Sequence, residues 1–106
     1  MKTSANNNET KKMTLDEKMA MWEARANDEF GKVLQMINMA CADYFYADPD
    51  EYGIPTTPLS HYITAYSLDG NRKYTAKCIY SILENHDLLE DGAIIALANK
   101  MKRLAA

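Results

Sequence analysis

The chain holds 106 residues, of which 47% are hydrophobic and 25% charged, so one globular domain fits and a fibrous repeat, wholesale disorder or a multidomain architecture does not. Twelve Lys and Arg against fifteen Asp and Glu give a net charge of -3, which disfavours a uniformly basic nucleic-acid binder. The charge is uneven: residues 43 to 91 carry three basic and nine acidic groups, whereas residues 92 to 106 carry three basic groups and no acidic one.

Residues 1 to 13 are polar and Asn-rich, lack a hydrophobic period and read as a disordered tail, leaving 14 to 106 as a single helical domain. The opening MKTSANNNETKK has no apolar h-region. The longest apolar run, Ala93 to Ala98, is far shorter than the roughly 18 residues of a membrane span. A cytoplasmic protein without a membrane partner is therefore expected.

Thr14-Leu15-Asp16-Glu17 has the capping-box pattern of a helix start. Beyond it Leu15, Met19, Trp22, Ala26, Phe30, Val33, Ile37, Ala40 and Tyr44 recur at steps of three and four, predicting one long amphipathic helix of about 45 Å at 1.5 Å per residue, with a break near Asn27 or Gly31 left open because a helical glycine costs only about 1 kcal/mol. Three short helices would leave part of such a rod uncovered. Its first half, with Leu15, Met19, Trp22, Ala26 and Phe30, is accordingly the expected face of a homodimer.

Two prolines and a glycine between Asp48 and Pro55 predict a loop. Thr57-Pro58 then opens a second helix on Leu59, Tyr62, Ile63 and Tyr66, which ends at Asp69-Gly70-Asn71. A third helix from about Arg72 turns Tyr74, Cys78, Ile79, Ile82 and Leu83 inward and fades at Glu84-Asn85-His86. Asp91 caps a fourth, with Ile94, Ile95, Leu97, Ala98 and Met101 apolar and Lys100, Lys102 and Arg103 in its last turn. The expected fold is all-α: a small bundle of about four helices, the N-terminal one long. A hairpin at Asp69-Gly70 competes, but spacings of three and four rather than two favour helices on both sides.

Chemistry-bearing residues are sparse. Cys41, Cys78, His61 and His86 match no zinc-ligand spacing, and no motif points to a catalytic residue, so neither metal nor cofactor is expected. The seven methionines read first as core fillers. Seven tyrosines and the acidic middle are the distinctive features. Tyrosine offers contact area with a polar tip and is enriched at interfaces. Asp43, Tyr46, Asp48, Asp50, Glu51 and Tyr52, with Glu84, Asp87, Glu90 and Asp91 at a second turn, form the expected partner-binding set. Such a carboxylate array can imitate nucleic-acid phosphates and meet a protein with a basic or nucleic-acid-binding surface.

The reading favoured on these grounds is a non-enzymatic protein-binding module or inhibitor, of the type of a phage or mobile-element counter-defence (anti-CRISPR-like) protein. The alternative is a dimeric helix-turn-helix regulator, with the helices on either side of Asp69-Gly70-Asn71 as the motif and Arg72, Lys73 and Lys77 as its DNA contacts.

Overall fold

The computed structural model describes residues 14–106, so the tail expected over 1 to 13 lies outside the described residues. Those residues form five α-helices and no strand: α1 Leu15–Asn27, α2 Glu29–Cys41, α3 Ser60–Asp69, α4 Arg72–Asn85 and α5 Gly92–Ala105. Short 3-10 turns at Ala42–Phe45 and Leu88–Glu90 follow α2 and precede α5. The all-α expectation stands.

The single long N-terminal helix does not form. Asp28 leaves the helical region at φ -74 and ψ 168, and its side chain accepts from the Gly31 amide at 2.6 Å, so it caps a new helix and ends the old one. The reason is competition. A short carboxylate that can bond a nearby amide offers the backbone an alternative to the helical ladder, and α1 supplies too little buried surface to resist it. No residue of α1 is buried, whereas α2 buries Phe30, Val33, Leu34, Ile37 and Cys41 along one stripe.

Gly31 makes the sharp junction feasible. A Cβ built on it would lie 2.0 Å from the Arg25 carbonyl oxygen, so the last turn of α1 occupies the space of the missing side chain. Arg25 then reaches α3, donating to the Ser67 carbonyl at 3.1 Å, a cation on the negative end of that helix.

The core is the α2 stripe set against Ile94, Ala98, Met101 and Ala105 of α5, Ile79 and Leu83 of α4, and Leu59, Tyr66 and Leu88. Full burial of each large aliphatic or aromatic side chain contributes about 1.5–3 kcal/mol, so α2, α4 and α5 dominate the stability. Local expectations hold at several ends. Thr14 and Glu17 form a reciprocal capping box, and Asp91 accepts from the amides of Ala93 and Ile94 to start α5. Asn71 caps α4 by accepting from Tyr74 N. Gly70, at φ +71, closes α3 in the left-handed region, so Asp69-Gly70 is a helix end and not a hairpin.

Two core expectations change. Tyr74 faces solvent, and Thr75 and Ala76 take the inward positions on α4. Met19, Met36 and Met39 are exposed, while Met101 is fully buried. No helix among the described residues is long and apolar enough to cross a membrane.

Candidate functional site

The connection between α2 and α3 is organised from within. Asp50 turns its Oδ1 back on its own loop, where it accepts from the amides of Tyr52 at 2.8 Å and Ile54 at 2.9 Å. The Asp50 amide donates to the Ile54 carbonyl at 2.8 Å, and the Thr56 amide donates to Asp48 O at 3.0 Å, closing the loop neck. Asn38, buried on α2, fixes the neck to the body. Its Nδ2 donates to Pro55 O at 2.9 Å and its Oδ1 accepts from the Thr57 hydroxyl at 2.6 Å. Asn38 was not among the sequence-derived candidates; as one polar side chain among the α2 apolar positions, it carried no local signal of its partners.

Within the fixed neck Tyr52 is 79% exposed at the edge of a cleft shared with Trp22, and Tyr46, before the neck, is 92% exposed; Asp43, Asp48 and Glu51 are exposed on the same stretch. Tyr46 adopts φ +49, a left-handed conformation that a bulky residue takes only when its surroundings impose it. Here it terminates the 3-10 turn, donating its amide to Asp43 O at 3.3 Å.

The second acidic turn meets the first. The Tyr44 hydroxyl donates to Asp91 Oδ2 at 3.2 Å, and the Phe45 ring meets His86 edge-on at 5.0 Å between centroids. These contacts bring the turns 42–46 and 86–91 to one end of the molecule, so Asp43, Asp87 and Glu90 share an exposed acidic end with the Tyr46 turn. Not every carboxylate of the expected set is free. Asp91 is engaged as the α5 cap, where the Ile94 amide outweighs the upward push of desolvation and, with the Ala93 amide and Tyr44, holds its carboxyl below the ordinary range. Asp50 is engaged in the loop neck. Glu84 lines a groove between α4 and α5.

That groove, of about 460 Å³, has three cationic side chains against the one Glu84 carboxylate. Lys73 and Lys77 of α4 and Lys102 of α5 stand around a floor that includes Ala76, Tyr80 and Ala105. The Lys102 ammonium lies 4.2 Å over the Tyr80 ring, a cation–π contact that fixes its position.

The trio Arg72, Lys73 and Lys77 does not act as one surface. Arg72 is turned into the body, pairing with Asp28 at 3.5 Å, donating through Nε to the Tyr66 hydroxyl at 3.3 Å and through Nη1 to Leu104 O at 3.3 Å. Its guanidinium also lies 5.3 Å from the Phe30 ring centroid. Arg72, expected as a DNA contact, is thus a structural tie between four helices at the start of α4, with 40% of its side chain still exposed.

The expected dimer face is likewise divided. Leu15 and Met19 are exposed, Ala26 is exposed and Trp22 half-buried. Phe30 is fully buried in the core of its own chain, which corrects its place in that face. The break at Asp28 rotates it away from the residues of α1. Trp22 lines an apolar cleft with Ala26, Leu34, Ile54 and Ile63, its Nε1 enclosed without a hydrogen-bond partner. Among the described residues no group of three or more His, Cys, Asp or Glu side chains could hold a metal ion.

No family model matches this chain, and searches of curated proteins and of solved structures return no match.

Proposed function

We propose that this chain is a non-enzymatic binding module that engages a basic protein surface through the end formed by the turns 42–54 and 86–91. One observation carries the reading: the Tyr44–Asp91 and Phe45–His86 contacts join two acidic stretches distant in sequence, beside the exposed Tyr46 and followed by a loop of fixed neck that exposes Tyr52. A fixed loop loses little conformational entropy on binding, so its exposed aromatic area is available for affinity. The surrounding carboxylates steer a basic partner and set its orientation. In its most specific form the module is an inhibitor, of the counter-defence type, whose carboxylates stand in for phosphates in a nucleic-acid-binding channel. The helix-turn-helix alternative is not adopted, because Arg72 is committed to Asp28, Tyr66 and Leu104.

The test is affinity capture from nuclease-treated host lysate, comparing the wild-type chain with Tyr46→Ala/Tyr52→Ala/Asp48→Lys/Glu51→Lys. A stoichiometric protein partner that survives nuclease and is lost with the variant is expected. Capture indifferent to the four substitutions, or recovery of nucleic acid alone, would overturn the reading.

A further inference from the structure

The acidic end and the lysine groove lie at opposite ends of α5. Asp91 caps its N-terminus beside Tyr44, whereas Lys102 and Ala105 close the groove near its C-terminus. From Asp91 to Lys102 is about 16 Å of helix at 1.5 Å per residue, and both turns of the acidic end are anchored by side-chain contacts, so a chain cannot fold its own acidic turn into its own groove. Along α5 the two surfaces are therefore held apart, while along α4 the groove runs from Lys73 to Glu84.

We propose that the α4–α5 groove receives the acidic, tyrosine-bearing turn of a second copy of this chain, so that copies associate head to tail. The inference rests on the binding role given above to that turn and names its partner. Charge complementarity carries it: Lys73, Lys77 and Lys102 line the groove against one acidic side chain, Glu84, and Asp43, Asp48 and Glu51 are exposed carboxylates on the stretch that holds Tyr46 and Tyr52. The apolar floor of Ala76, Tyr80 and Ala105 takes an aromatic anchor, and the lysines around it take the flanking carboxylates. Two different surfaces meet in such a contact, so it is heterologous and each added copy leaves one groove and one turn open. Exposed ion pairs are screened, at about 8 Å in physiological salt, which makes the association weak and salt-sensitive.

Sedimentation velocity of the full chain over a wide concentration range, at low and high salt, reads this directly. At low salt the average mass rises with concentration past the dimer, and at high salt it falls to the monomer. Lys73→Gln/Lys77→Gln/Lys102→Gln, and separately Asp43→Asn/Asp48→Asn/Glu51→Gln, each weaken association by about tenfold or more. All six residues are exposed and none caps a helix, and unchanged urea midpoints confirm that the variants fold. An equimolar mixture of the two variants recovers a 1:1 complex and nothing larger, because it contains only one intact groove and one intact turn per pair. A wild-type chain monomeric at every concentration overturns the proposal, as does association that survives either variant. The lysate capture above separates the two readings: a monomeric chain that still captures a foreign basic protein through Tyr46 and Tyr52 sinks the self-pairing and leaves the binding role intact.

Discussion

The Tyr66 hydroxyl donates to Asp28 Oδ2 at 2.6 Å, tying the middle of α3 to the break between α1 and α2. The same carboxylate caps α2 through its other oxygen and pairs with Arg72 at the start of α4. Above it the Phe30 and Tyr66 rings pack at 4.8 Å between centroids, so polar bonds and aromatic contact act at one point. Four of the five helices therefore depend on one aspartate, and Arg72 extends the node to α5 through Leu104 O.

Replacing Asp28 separates the cap from the charge. Asp28→Ala removes the cap and strands the Tyr66 hydroxyl, and is expected to cost about 2–3 kcal/mol in urea denaturation. Asp28→Asn keeps a capping oxygen and is expected to cost about half as much. Equal losses would mean that the cap contributes nothing.

The same residue sets an acid dependence. Partial burial pushes the Asp28 carboxyl up, but the Tyr66 hydroxyl, the Gly31 amide and the Arg72 guanidinium together hold it below its ordinary value of 3.8. A carboxyl lowered in the folded state gives stability that is fully present above its unfolded value and is lost as pH falls through its folded value. Urea midpoints followed below pH 5 should therefore fall less steeply in Asp28→Asn than in the wild type. Parallel curves would show that this carboxyl is not a source of the acid sensitivity.

Two glycines in helices should respond with opposite signs. Gly31→Ala, ordinarily worth up to about 1 kcal/mol in a helix, places a Cβ 2.0 Å from the Arg25 carbonyl and forces α1 away from α2, so it should destabilise by about 2 kcal/mol or more. Gly92→Ala meets nothing within 4 Å at the first turn of α5 and should stabilise by about 0.4–1 kcal/mol. Thermal melts of the pair check the contrast, and a stabilising Gly31→Ala would refute the close approach.

Asn38→Leu leaves the Thr57 hydroxyl without its acceptor and takes from Pro55 O its shorter donor, the Ser60 hydroxyl remaining at 3.3 Å. The expected cost is about 1–3 kcal/mol, the penalty for stranding buried polar groups. Hydrogen exchange of the Ile54 and Thr56 amides should quicken beyond the global change, because the loop neck loses its tie to α2. Exchange that quickens only in step with global stability would show that Asn38 does not hold the neck.

The two thiols should differ in reactivity. Burial first, and the nearby Asp91 charge second, push the Cys41 thiol up to about 11, and its side chain is fully enclosed. Cys78 is half-buried on α4. With a chromogenic disulfide reagent near pH 8, one thiol per native chain should react promptly and the second only on unfolding, since the thiolate is the reactive form. Prompt reaction of both would contradict the enclosure of Cys41.

What could be read from the order of residues was local. The Thr14–Glu17 capping box, the Asp91 cap, the glycine end of α3, the loop around Pro49 and Pro55 and the start of α4 near Arg72 all involve partners within a few positions, and each stands where the residues placed it. Asp28 lay within the same range, three residues before Gly31, but an aspartate on the polar face of an amphipathic stripe reads equally well as solvated; packing of Phe30 against Tyr66 and Arg72 against Asp28 selected the break. The acidic residues around Tyr46 were legible as a group, whereas their union with the second turn depends on Tyr44 meeting Asp91, 47 positions away. Arg72 looked like a surface charge beside Lys73, and only the arrival of α2, α3 and α5 around its guanidinium gave it partners in the body. Local spacing determines which backbone groups find partners nearby. Which distant side chains meet, and so which charges stay free to bind, was decided by how the helices pack.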